Sequence, residues 1–198
     1  MIKIALAGTA RAGKDTFANV LERELESQGY EVVKVAFADY LKNLYEQLFS
    51  HIPTTTKPRD AYITLGNAFR EIDPNFWIRP VENLVDILES DNSSLNLFSN
   101  GIPKPAALII TDTRYYNEAL WAEQEGFLVV KIDADPLIRQ ARAEALGETL
   151  KLDNEGDMEV DLIQPHITVY NNGDDDFTAL PAAARAAISE FKAMFPKG

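Results

Sequence analysis

A three-layer α/β/α fold built on a parallel sheet of about five strands is what this sequence predicts, and three observations carry the prediction. Short apolar runs rich in β-formers alternate with longer segments whose apolar residues recur every three or four positions. That alternation calls for parallel strands covered by helices on both faces. The first strand runs straight into a glycine-rich turn, GTARAGKDT, before the first helix. Finally, the residues with the most chemistry to offer, Gly8, Asp112 and Asn171, fall at the carboxyl ends of predicted strands, where open α/β sheets bind their ligands.

The elements follow in order. IKIALA (2–7) reads as a buried strand closed by Gly8. From Gly13 to about Gln28, Phe17, Val20, Leu21 and Leu25 form one apolar stripe, and Gly29 suits a helix C-terminus. EVVKVA (31–36) is the second strand, and 39–49 reads as a helix through Leu41, Leu44, Tyr45 and Leu48. PTTTKPR (53–59) is a loop; helices are expected at 60–72 and 75–89, separated at Asp73-Pro74. The polar stretch 90–105 reads as a surface loop before AALIIT (106–111), the most apolar strand. A helix at 115–125, a strand at 127–132, a helix at 136–146, an acidic and weakly patterned stretch at 147–165, a last strand HITVY (166–170) and a closing helix at 177–195 complete the chain.

The 198 residues suit one domain, and the net charge of −12 argues against a nucleic acid polymer as partner, because duplex binding needs clustered Lys and Arg. Small anions remain compatible, since a pocket can be positive on an acidic protein. The absence of cysteine rules out disulfides and thiolate metal sites and fits a reducing cytoplasm. The opening residues do not resemble a signal peptide, and no apolar run approaches the length of a membrane span, so no membrane partner is expected.

The turn 8–16 is nearly the phosphate-binding loop pattern of Gly, four residues, Gly, Lys and then Ser or Thr. Gly8 and Gly13 let backbone N–H groups, including those of Ala10, Arg11 and Ala12, curl around phosphate oxygens at a helix N-terminus. Lys14 supplies a full positive charge. Asp15 stands where a hydroxyl is usual; a carboxylate there either serves Mg²⁺ or complements the helix dipole. Thr16, one residue on, either offers its hydroxyl to a phosphate or caps the first turn. ALIITDTR (107–114) ends in Asp112, which suits the metal's water shell or an N-cap, and Arg114 follows it toward the same cleft. His51 and His166, without cysteine, form no transition-metal pattern.

GKDT, FADYLK (37–42), LGNAFREIDPNFW (65–77), LIITDTR (108–114) and HITVYNNG (166–173) occur in an order that resembles the deoxynucleoside monophosphate kinases of the bacteriophage type, members of the P-loop kinase group that includes adenylate kinase. The resemblance is patchy but runs from about residue 2 to 190, and the GKD form of the loop is usual in that family. Residues 143–165 have no counterpart in its pattern.

What the resemblance implies is a P-loop NTPase fold of the nucleoside monophosphate kinase kind, with ATP as phosphoryl donor and Mg²⁺ as cofactor. Lys14 would then stabilise the transferring phosphoryl group, with Asp15 and Asp112 holding Mg²⁺ through water. Asp39, Lys42, Arg70 and Arg114 would bind the acceptor monophosphate. Arg139 and Arg142 would belong to a lid at about 135–150, while Asn172 and Gly173 would meet the donor base. Trp77 suits either stacking on a base or a place in the core. The helical segment 50–90 would be the acceptor-binding insertion of a single domain. The expected partners are ATP and a deoxynucleoside monophosphate, in a cytoplasm that is the host's if a phage encodes the protein; a homodimer is left open. Two rivals stand beside this reading: a P-loop kinase with another small acceptor, such as dephospho-coenzyme A, and a non-catalytic nucleotide-binding regulator.

Overall fold

In the computed structural model, which describes residues 1–52, 58–90, 106–150, 158–173 and 179–196, five parallel strands form one sheet in the order β2-β3-β1-β4-β5. The strands are β1 (Ile2–Ala7), β2 (Glu31–Val35), β3 (Ala106–Thr113), β4 (Leu128–Asp133) and β5 (Ile167–Tyr170). The helices are α1 (Lys14–Ser27), α2 (Phe37–Phe49), α3 (Arg59–Ile72), α4 (Arg79–Ser90), α5 (Tyr116–Gln124), α6 (Pro136–Glu144) and α7 (Ala179–Met194), with a short 3-10 turn at Val160–Leu162. Every expected strand and helix is present. The expected loops at 53–59 and 90–105 and the acidic stretch 147–165 lie in part outside the described residues, at 53–57, 91–105 and 151–157.

Strand alternation divides the core into two halves. Ile2, Ile4 and Leu6 of β1, with Ala107 and Ile109 of β3, face α1 and α7 and meet Phe17, Leu21, Leu25, Ile188 and Phe191. Their neighbours Ala5, Ala7, Leu108 and Ile110 face the opposite layer, where Phe37, Val81, Val85 and Ala122 cover them. Both faces of β1 and β3 are therefore buried, which is why these strands read as unbroken apolar runs. α3 stands outside this sandwich and packs chiefly on α2.

α2 begins two residues before the sequence pattern suggests. The missing signal is not in the helix itself. Its first N–H groups, those of Phe37 and Ala38, donate to Asp112 Oδ1 and Oδ2 at 2.8 and 3.0 Å, and Asp39 Oδ2 accepts from Ala36 N–H at 3.1 Å. A carboxylate 75 residues away in sequence thus satisfies N–H groups that a local cap would otherwise have to satisfy. β3 likewise continues to Thr113. Its pairing with β1 steps from Ala5–Ile110 to Ala7–Thr113, so one extra β3 residue is accommodated at the point where Asp112 turns toward α2. No helix among the described residues is long and apolar enough to cross a membrane.

Candidate functional site

The chain leaves β1 toward β2 and leaves β3 toward β4, on opposite sides of the sheet, so the adjacent carboxyl ends of β1 and β3 form a topological switch point. The loop 8–13 follows β1 at this point, and Asp112–Arg114 follows β3.

Two glycines fix the loop. Gly8 has φ +152°, and a Cβ there would stand 2.4 Å from the carbonyl oxygen of Ile132 on β4. Gly13 has φ +98°, and a Cβ there would stand 2.1 Å from Asn171 Nδ2. Each position combines backbone that disfavours a side chain with a neighbour already in the space. Between them Arg11 adopts a left-handed conformation, φ +63°. Lys14 is buried, and its ammonium group donates to the carbonyls of Gly8 and Thr9 at 2.6 and 2.9 Å. The charge is thus held at the loop's mouth by groups that give only partial negative charge, an arrangement a phosphate oxygen can improve on. Asp15 and Thr16 lie on the exposed side of the first turn of α1.

Asn171, which the sequence places at the end of the last strand without the donor-base role given to its neighbours, is the buried member of NNG. Its Nδ2 donates to the Ala12 carbonyl at 2.9 Å and its backbone N–H to Asp133 at 2.7 Å. Asn172, expected at the donor base, instead uses its side-chain oxygen to accept from Asp135 N–H at 2.8 Å, steadying the start of α6; Gly173 lies beside it at the surface. Arg142, expected in a lid, rests on the loop. Its guanidinium donates to the carbonyl of Asn171 at 3.1 Å and, at longer range, to those of Arg11 and Ala12. Arg139, one turn earlier, has a buried Nε without a hydrogen-bond partner among the described residues.

On the far side of the loop, Asp15, Asn19, Lys34, Asp39 and Thr111 line a cleft of about 200 Å³. Lys42 pairs with Asp39 at 2.7 Å, so the two acceptor candidates after β2 are together. Asp112 is held differently from the sequence expectation. Both of its oxygens anchor α2, and burial pushes its carboxyl above the usual range, against the pull of those N–H bonds and of Arg114. Among the described residues no three His, Asp or Glu side chains gather as a metal cage. A Mg²⁺ bound with phosphates needs only one or two carboxylates and water, and Asp15, exposed at the loop's edge, fits that requirement directly.

The Arg70 guanidinium and the Arg114 backbone both reach a residue the sequence reading did not single out. Glu118 is 3% exposed; its Oε2 accepts from the N–H groups of Arg114 and Tyr115 at 2.9 and 3.1 Å, and its Oε1 lies 3.6 Å from Arg70. Arg70 also lies over the Tyr115 ring, 3.7 Å from its centroid. Burial, then the nearby charge of Asp112, raises the Glu118 carboxyl from 4.5 to about 7. The only sequence hint of Glu118 was its place three residues after a helix start.

Trp77 is corrected to its core alternative. It is 3% exposed, its indole N–H donates to the Gly66 carbonyl at 3.1 Å, and Phe69 and Phe76 pack on it edge-on. No ring face remains for a base. His166, uninformative in the sequence, accepts from Val129 N–H through Nδ1 and joins β5 to β4.

No protein-family model matches the chain, and no curated protein matches it. Among solved structures it is similar to a sugar kinase from Janibacter sp. HTCC2649, at 13% identity over 96% of this chain and 95% of that one with a TM-score of 0.52. It is also similar to a gluconokinase from Sinorhizobium meliloti 1021 (14% identity, 100% and 98% of the chains, TM-score 0.48) and to a shikimate kinase from Bacteroides thetaiotaomicron (13%, 98% and 98%, TM-score 0.47). At such identities the likeness speaks for the fold alone. With the sheet order and the loop after β1, it makes the chain a three-layer α/β/α protein of the P-loop NTPase fold.

Proposed function

We propose that the protein is a nucleoside monophosphate kinase that transfers the γ-phosphoryl group of ATP to a deoxynucleoside monophosphate. The observation that carries this reading is the convergence of cationic side chains on the switch point of an otherwise acidic chain. Lys14 and Arg142 sit at the phosphate loop, the Arg70 guanidinium lies 3.6 Å from Glu118, and the Arg114 charge acts on Asp112 at the end of β3. Transfer between two anions needs cations placed before the reactants arrive, and little else from the protein.

In this reading the loop N–H groups and Lys14 hold the donor phosphates. Arg70 and Arg114 orient the acceptor phosphate, Arg70 being steadied by Glu118 and the Tyr115 ring. The acceptor oxygen needs no base, because a phosphate monoester is largely ionised at neutral pH, its second pKa being about 6. Asp15 would hold Mg²⁺, and the metal would neutralise charge on the donor phosphates, while Asp112 anchors the start of α2 beside it. Arg142 acts by shaping the loop, and Asp39 with Lys42 flank the acceptor side. The likeness to a sugar kinase fold keeps a different acceptor as the alternative outcome.

The test is a panel of nucleoside and deoxynucleoside monophosphates with ATP and Mg²⁺, products identified by chromatography. Turnover of at least one monophosphate is expected; ATP binding with no nucleotide product would overturn the reading. Arg114→Ala should reduce kcat/KM for the monophosphate by about 10²-fold, the scale of losing one oriented charge at a transferring group, while ATP binding changes little. An equal loss of ATP affinity would place Arg114 on the donor instead.

A further inference from the structure

Two guanidinium groups from distant parts of the chain meet on one carboxylate oxygen. Arg11, in the phosphate loop, and Arg59, the first residue of α3, both bind Oε2 of Glu148, Arg59 at 2.5 Å. Two cations against one anion leave a local excess of one positive charge. The bridge is also accessible: the side chains of Arg11, Arg59 and Glu148 are 29%, 44% and 29% exposed. Solvent-exposed ion pairs of this kind contribute little individually and exchange readily.

We propose that Arg11 and Arg59 form a phosphate-binding pair, and that Glu148 is an internal carboxylate occupying it until a nucleotide phosphate takes its place. A phosphate monoester carries close to two negative charges at neutral pH and would balance both guanidiniums, which a single carboxylate does not. It also offers three oxygens to forks whose planar geometry suits bidentate bonds. Glu148 holds the pair because it is tethered, an advantage of effective concentration rather than of fit. Its carboxyl is held below the usual range, first by the hydrogen bond from Arg11, so it remains an ionised competitor at neutral pH. Arg11 belongs to the loop after β1 and Arg59 to the helical insertion, so a phosphate between them would join the two halves of the cleft.

The inference rests on the proposed function only in taking the ligand to carry phosphate. Binding of inorganic tripolyphosphate, ATP and deoxynucleoside monophosphates is measured by calorimetry on the wild-type chain, Glu148→Gln, Arg59→Ala and the double variant. Glu148→Gln should tighten phosphate binding by about two- to fivefold, the range an exposed ion pair supplies. Arg59→Ala should weaken it by about five- to tenfold, somewhat less than a buried charged hydrogen-bond donor would cost because Arg59 is partly exposed. In the Arg59→Ala background Glu148 still holds Arg11, so the gain from Glu148→Gln should persist but be smaller than in the wild-type chain. Whether ATP or the monophosphate gains in Glu148→Gln tells which nucleotide supplies the phosphate. Unchanged or weaker binding in Glu148→Gln, with an unchanged melting temperature, overturns the proposal. A chain that gains phosphate affinity in Glu148→Gln yet phosphorylates no monophosphate would overturn the kinase reading and leave this pair standing.

Discussion

The loop side of the cleft and the helical insertion across from it are built by different means. Around the loop, backbone decides: Gly8 and Gly13 leave no room for a side chain, and Asn171 and Arg142 bond to main-chain carbonyls. Across the cleft, α3 buries only Gly66, and the links Lys42–Asp39, Arg79–Asp73 and Arg59–Glu148 are partly exposed ion pairs between side chains. A backbone cradle suits a ligand part that never varies, such as a triphosphate. Side-chain pairs can be exchanged one at a time, which would suit a half that chooses the acceptor in the proposed kinase. The difference also says where a mutation should hurt most.

Gly8→Ala should be the most damaging single change. The new Cβ would meet the Ile132 carbonyl at 2.4 Å, and that carbonyl belongs to β4, an interior strand paired on both sides, so neither partner can yield cheaply. Loss of ATP binding by 10²-fold or more, with destabilisation of about 2–4 kcal/mol, is expected from calorimetry and urea unfolding. A Gly8→Ala chain that binds ATP normally would break the contrast, since the loop would then tolerate what its backbone excludes.

Glu118 stands between the two halves and gives the next effect. Its folded carboxyl titrates near 7, against 4.5 ordinarily, chiefly because it is buried. From about pH 4.5 to 7 the folded state therefore keeps a proton that the unfolded chain releases. The sign follows: this group favours folding below that window, and its contribution is lost as pH rises through it, by about 3 kcal/mol in all. Glu118→Gln keeps an oxygen for the N–H groups of Arg114 and Tyr115 but cannot ionise. Its stability, measured by urea unfolding, should change less with pH than the wild type's across that window. Equal slopes would mean that Glu118 is ionised throughout.

The sheet and its covering helices were legible because buried parallel strands and amphipathic helices write their periods locally. Gly8, Gly13 and Lys14 were legible for the same reason, since the cradle is contiguous in sequence. What escaped was whatever depends on distant partners. Asp112 caps α2, 75 residues away, and nothing in ALIITDTR says so. Asn171 rather than Asn172 turns inward because β5 ends in register with Asp133, a fact of strand pairing and not of NNG itself. Glu118 is an ordinary first-turn acid until burial beside Asp112 raises its carboxyl. The bridge from Arg11 to Arg59 through Glu148 likewise has no local signature.

Trp77 gives the smallest effect and the sharpest separation of packing from recognition. Its N–H bond to Gly66 ties the turn before α4 to the middle of α3, and its ring packs against Phe69 and Phe76, which also touch each other. Trp77→Phe removes one buried hydrogen bond and some ring area, leaving the Gly66 carbonyl without that donor. A loss of about 1–3 kcal/mol is expected by urea unfolding. Because the ring faces are taken by aromatic neighbours, KM values across a panel of bases should shift together or not at all. A change in the order of base preference, with stability intact, would return Trp77 to the acceptor site. It would also show that the insertion recognises its ligand through the very residue that holds its helices together.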